Sequence, residues 1–170
     1  KSWPWMRELV LGALLVVALA YSTMFRGVTA PNERSRIYLA VSLVDAGTIE
    51  ITHALDRFGS ILDVAEHDGR QYSDKAPGSG LLAAVVYGSL RVFTEAEDWT
   101  IDELLNLMRR GLMVPLSVVG FFALRRLMRR LGIGRTLADI VAVGWILGSA
   151  AFHYSSAFYG HQIVGVALVV

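Results

Sequence analysis

Seventeen uncharged residues, "LVLGALLVVALAYSTMF", lie between Glu8 and Arg26. With its flanks, this run reaches the roughly 20 residues that a helix needs to cross the hydrocarbon core of a bilayer. Inside that core every backbone N–H and C=O must find a partner within the segment, so the run has to be helical. A secretory signal peptide is the other reading. Against it, the run is long for a signal's apolar core and no clean small-residue cleavage site follows. Residues of about 8–26 are therefore expected to form a first transmembrane helix.

The composition agrees. Of 170 residues, 54% are hydrophobic and 18% charged, against about 25% charged in soluble domains. Basic residues flank the apolar runs and do not cover one face, which argues against nucleic acid as a partner. With no cysteine, disulfides, thiolate metal sites and a cysteine nucleophile are excluded.

A second span is expected over about 104–124, with Arg109 and Arg110 near its outer end and Pro115 as a source of a kink. The segment "RRLMRRLGIGR", 125–135, holds five arginines in eleven residues. The positive-inside rule counts such short loops and makes this one cytoplasmic. Lys1 and Arg7 put the N-terminus on the same side, which leaves residues 27–103 outside as a large loop. From Ile140 to Val170 no residue carries a formal charge. That stretch is expected to hold a third span at about 136–155, an outer turn, "HYSSAFYGHQ", and the start of a fourth span at 161–170. The fold class that results is an all-α integral membrane protein. It has about four transmembrane helices, the last incomplete, and residues 1–170 form one membrane domain. The chain is read here as a fragment of a longer protein.

Within the external loop, "ERSRIYLAVSLVDAG" places Ile37, Ala40, Val41 and Val44 at helical spacing, after Pro31 and before Gly47. A short helix on the bilayer surface fits that pattern. "TIEIT" alternates like a strand. "APGSGLLAAVVYGSL" is uncharged for 15 residues, which suits an amphipathic interfacial or re-entrant helix more than a full span. Pro77 sits well in its first turn, where its missing N–H costs nothing.

Four groups of residues could carry chemistry. Glu33 in "PNERSR", with Arg34 and Arg36 nearby, is a candidate general base or a solvated first-turn acid. Asp63, Glu66, His67, Asp68 and Asp74 supply oxygen and imidazole ligands for a hard divalent cation, although their spacing matches no metal motif. Lys75 precedes a helix N-terminus whose free N–H groups favour anions, so it could meet a lipid phosphate or simply pair with Asp74. His153, Tyr154, Tyr159 and His161 are either interfacial belt residues or part of a polar site.

Taken in order, "NERSRIYLA", "GRQYSDKAPGSGLLA" and "RRGLMVPLSVVGFFALRRLMRR" resemble the N-terminal part of GT-C superfamily membrane glycosyltransferases. Among these, the protein O-mannosyltransferases and aminoarabinose transferases are the nearest in pattern. The resemblance covers nearly the whole chain and rests on the order and spacing of the motifs. It implies transfer of a sugar from a polyprenyl-phosphate donor to an acceptor on the external face of a bacterial cytoplasmic membrane. It maps the catalytic acid onto Glu33, since Asn32 stands at the family's first acidic position and an amide cannot take a proton as a base. Donor phosphate would fall to Lys75 and Arg36, and Asn32, Tyr72, Asp74 and His161 would line the substrate. The second expectation is a non-catalytic transmembrane subunit that packs in a larger complex through small residues such as Gly78, Gly80, Ala83, Ala84 and Gly88. A transporter fragment is disfavoured, because no charge sits well inside a span.

Overall fold

The computed structural model describes residues 4–24, 30–94 and 98–170. Lys1, Phe25 and Arg26, which entered the topology argument, lie outside them. The described chain is mostly helical. Among the described residues two helices are long and apolar enough to cross a membrane, Trp5–Thr23 and Ile101–Arg130, each with a mean hydropathy of 1.5. The chain divides into two compact units, residues 27–112 and residues 1–26 with 113–170.

The unit 27–112 is built around α2, Pro31–Asp45. Pro31 opens it at the first helical position, where proline's fixed φ suits the helix and its missing N–H would be unpaired anyway. Gly47, at φ +65°, ends it in the left-handed region that costs glycine nothing. The expectation of a surface helix is not what α2 does. Ile37, Tyr38, Leu39, Ala40 and Val41 are all buried, and so are Glu33, Ser35, Arg36 and Ser42. A helix buried on every side with charges aboard has to pair those charges, and the site below is made of the pairs.

Around α2 pack α3 (Thr52–Phe58), the hairpin of β1 (Val64–His67) and β2 (Arg70–Ser73), α4 (Pro77–Arg91) and α5 (Ile101–Met108). The hairpin turn is Asp68-Gly69, with φ of +51° and +72°, the two left-handed residues that a tight antiparallel turn requires. Register runs from Val64 opposite Ser73 to His67 opposite Arg70. "TIEIT" contributes one isolated bridge, Glu50 to Tyr72. Helix α4 lies directly on α2. A Cβ built on Gly80 would come 2.7 Å from Leu39 Cδ2 and 3.3 Å from the Arg36 carbonyl, so a side chain there would have to push the tip of Leu39 aside. Helix α5 starts with a capping box: the Glu103 N–H donates to the Thr100 hydroxyl, and the Thr100 N–H donates to the Glu103 carboxylate at 2.8 Å.

In the other unit, α1 (Pro4–Thr23) and α6 (Val114–Arg130) pack through Leu15, Leu19, Val114 and Phe121. Ala142 and Ile146 of α7 (Arg135–Gly148) complete that core. On α1, Leu9, Val10, Leu14, Val17 and Tyr21 remain exposed. A helix apolar on its outer face suits lipid better than water. A π-helical turn, Arg109–Met113, precedes α6. It sits where Pro115 withdraws the N–H that the Gly111 carbonyl would receive in an α-helix. The stretch 136–155 is not one helix. Ser149 is extended, at φ −132° and ψ −178°, and its hydroxyl caps α8 (Ala150–Ser155) by accepting from Ala151 N–H. A polar residue able to satisfy a new helix start ends α7 after 14 residues. Helix α9 covers Gly160–Ala167.

Candidate functional site

The first turn of α2 carries Asn32, Glu33, Ser35 and Arg36, and each reaches a different part of the unit. Glu33 is 1% exposed and Arg109 is 2% exposed. They meet fork to fork: Arg109 Nε donates to Glu33 Oε1 at 3.1 Å and Nη2 donates to Oε2 at 2.6 Å. Both carboxylate oxygens are therefore engaged. A bidentate guanidinium–carboxylate pair is the strongest geometry such groups have, and burial makes it costly to lose one partner. The partner expected from sequence was Arg34 or Arg36, but Arg109 fills that role from 76 residues away.

Arg36 turns toward α4 instead. Its Nε donates to Ser79 Oγ at 2.8 Å and its Nη1 to the Asn32 carbonyl at 2.7 Å. The side-chain oxygen of Asn32 is buried without a hydrogen-bond partner. Leaving such an acceptor unmatched costs roughly 1–3 kcal/mol.

Ser35 faces the end of the hairpin. Its hydroxyl is 2.8 Å from that of Ser73 and donates to Asp74 Oδ1 at 3.4 Å. The Lys75 N–H donates to Ser73 Oγ at 3.3 Å. The Lys75 ammonium, 19% exposed at the side chain, is 2.9 Å from Asp74 and 3.1 Å from Asp63. The hydrogen bond to Asp74 raises its pKa above the ordinary lysine value, against an opposing effect of burial, and Asp63 adds to the rise. Lys75, Tyr72 and Ser73 line a cavity of about 220 Å³ with Leu39, Ile49, Pro77 and Leu81. One cation thus stands at the edge of a mainly apolar cleft, just before the first turn of α4.

The expected site residues are therefore partly gathered. Asn32, Arg36 and Ser79 form one connected set; Ser35, Ser73, Asp74, Lys75 and Tyr72 form another; α2 carries members of both. Glu33 stands on the same helical turn but is committed to Arg109. His161 belongs to the other unit, where it packs against Tyr154 at 4.8 Å and Tyr159 at 6.4 Å between ring centroids. Of the acidic stretch 63–74, Asp63 and Asp74 meet at Lys75, while Glu66, His67 and Asp68 lie along the hairpin and its turn. Among the described residues no three histidine or carboxylate side chains are grouped to hold a metal.

Sequence reasoning missed one polar centre. Asp45, the last residue of α2, accepts from Tyr87 Oη at 2.8 Å, from Arg91 Nε at 3.1 Å and from Arg57 Nη1 at 3.2 Å. Arg57 also donates to the Trp99 carbonyl at 3.1 Å and lies 4.5 Å over the Phe58 ring. The signal was available. A carboxylate on the last turn of a helix opposes the macrodipole and calls for cations. Burial pushes the Tyr87 phenol above its usual pKa. Compared with protein-family models, curated proteins and solved structures, the chain matches none.

Proposed function

We propose that this chain is the N-terminal part of a GT-C-like glycosyltransferase of a bacterial cytoplasmic membrane, with residues 27–112 on the external side. In this reading α1 and the helix through α6 both cross the bilayer, and the N-terminus and the arginines of 125–135 face the cytoplasm. The substrate is a sugar linked to a polyprenyl phosphate. The observation that carries the proposal is the Lys75 ammonium at the rim of a cleft walled by Leu39, Ile49, Pro77 and Leu81. A lipid phosphate has that division of character, an anion joined to an apolar chain. Lys75 is already paired with Asp63 and Asp74, so an arriving phosphodiester takes the place of at least one carboxylate.

In the transfer step the acceptor oxygen bonds to the sugar's anomeric carbon as that carbon's bond to the phosphate oxygen breaks. The bonding pair leaves with the polyprenyl phosphate, whose charge Lys75 and the N–H groups opening α4 stabilise. The acceptor's proton goes to a Glu33 carboxylate oxygen, which must first release one Arg109 hydrogen bond. Arg36 holds Ser79 and with it the start of α4.

One observation favours a second reading, a non-catalytic subunit of a larger membrane complex: Glu33 is buried with both oxygens engaged. Membranes containing the full-length protein, supplied with a radiolabelled polyprenyl-phosphate sugar, separate the two. Transfer that Lys75→Ala lowers about 10²–10³-fold and Glu33→Gln about 10²–10⁴-fold, with insertion intact, supports the enzyme. Wild-type membranes without transfer, in which the same variants lose only assembly, support the subunit.

A further inference from the structure

The C-terminal half of α6 carries a feature the glycosyl-transfer reading does not use. Val118, Val119, Phe122 and Ala123 form an apolar stripe that leads, on the same side, to Arg126 and Arg130. The stripe lines a cavity of about 580 Å³ whose other wall includes Val169. A cleft of about 400 Å³ joins it at the charged end, lined by Glu8, Phe122, Arg125, Arg126, Arg129 and Arg130.

The arginines there have different states. Arg125 is buried, held by Glu8 and by Asp139, and lies 5.4 Å from the Phe121 and Phe122 ring centres. Arg129 is 3.8 Å from Glu8 and from Asp139. Arg7 also pairs with Asp139. Two carboxylates are thus shared by three guanidinium groups. Arg126 and Arg130 are exposed and make no ion pair among the described residues. They are four apart, so they face the same way and repel each other. An anion between them relieves that repulsion, and the guanidinium fork fits phosphate oxygens.

We propose that this end of α6 is a binding site for an anionic phospholipid of the inner leaflet. Its phosphate sits between Arg126 and Arg130, and one acyl chain lies along Val119, Phe122 and Ala123. The excess positive charge selects a net-negative head group over a zwitterionic one, since both carboxylates nearby are already spoken for. The proposal rests on α6 crossing the bilayer with this end in the cytoplasm, and not on any transfer activity.

The test is native mass spectrometry of the full-length protein released from nanodiscs of mixed phosphatidylglycerol and phosphatidylcholine. The wild type is expected to retain phosphatidylglycerol over phosphatidylcholine by roughly tenfold or more. Arg126→Gln with Arg130→Gln is expected to remove the preference, while Arg126→Lys with Arg130→Lys keeps part of it. A photo-crosslinker in place of Val119 is expected to label lipid. Equal retention of the two lipids by the wild type overturns the proposal without any variant. So does an unchanged preference in the glutamine variant, release of the lipid by millimolar inorganic phosphate, or a crosslink from residue 119 to polypeptide. Resistance to alkaline extraction reports insertion separately, and sugar transfer reports the enzymatic reading separately.

Discussion

The Glu33–Arg109 pair makes the sharpest prediction. Its side chains are 1% and 2% exposed and its two hydrogen bonds are 3.1 and 2.6 Å long. Removing one member of such a pair strands the other in the interior, at a cost of about 3–5 kcal/mol. The two single variants should not cost the same. A lone carboxylate can shed its charge by taking a proton, whereas a lone guanidinium cannot. Arg109→Met is therefore expected near the lower end of that range and Glu33→Leu near the upper end. The double variant removes both charges and should be more stable than either single one. The unit spans residues 27–112, and for a domain of that size each kcal/mol moves Tm by about 4–8 °C. Arg109→Met should then lower Tm by at least about 12 °C. Trp99 reports the unfolding of this unit in detergent once Trp3, Trp5 and Trp145 are changed to phenylalanine. A shift of a degree or two in the single variants, or a double variant as unstable as the sum of both, would refute the reasoning.

Four further outcomes are expected. Asp45→Ala leaves Arg57, Arg91 and Tyr87 facing an empty acceptor position and should cost about 2–4 kcal/mol in the same unfolding assay. Gly69→Ala should cost about 1–2 kcal/mol, because φ +72° is strained for any residue with a Cβ although nothing crowds that position. Gly78→Ala, equally uncrowded and at ordinary φ, should be neutral or slightly stabilising. Because the pKa of Lys75 is raised in the folded protein, its contribution is complete below the ordinary lysine value and fades as pH rises through the raised one. The stability gap between wild type and Lys75→Gln should accordingly be flat through neutral pH and close only in strong alkali; a gap that widens there would contradict the assignment.

The two long apolar helices were legible because charge-free runs of that length have few alternatives. The bounds of α2 were legible from Pro31 and Gly47, but its surroundings were not. Four apolar positions at helical spacing describe a one-sided helix, and nothing local shows that Glu33 and Arg36 are buried as well. Their partners, Arg109 and Ser79, lie 76 and 43 residues away, beyond the reach of any periodicity. The hairpin is legible in the sequence. Asp-Gly between "VAEH" and "RQYS" is a strong turn signal, and the acids around it also match the ligand types of a hard cation. The break at Ser149 was hidden because one serine in an apolar run looks tolerable until its hydroxyl is seen capping a new helix. Asp45 needed only the question of what neutralises an acid at a helix C-terminus.

Gly80 has a consequence beyond packing. Leu39, whose tip a side chain at position 80 would strike, is also a wall of the cleft beside Lys75, and Leu81 is the next residue along. The missing methyl group therefore acts as a gauge. It sets the calibre of the cleft by leaving the tip of Leu39 where it is while the two helices lie close. A relative with alanine or serine there would have to move or shorten the side chain at 39, and either change would alter the width of the cleft while leaving every charged group in place.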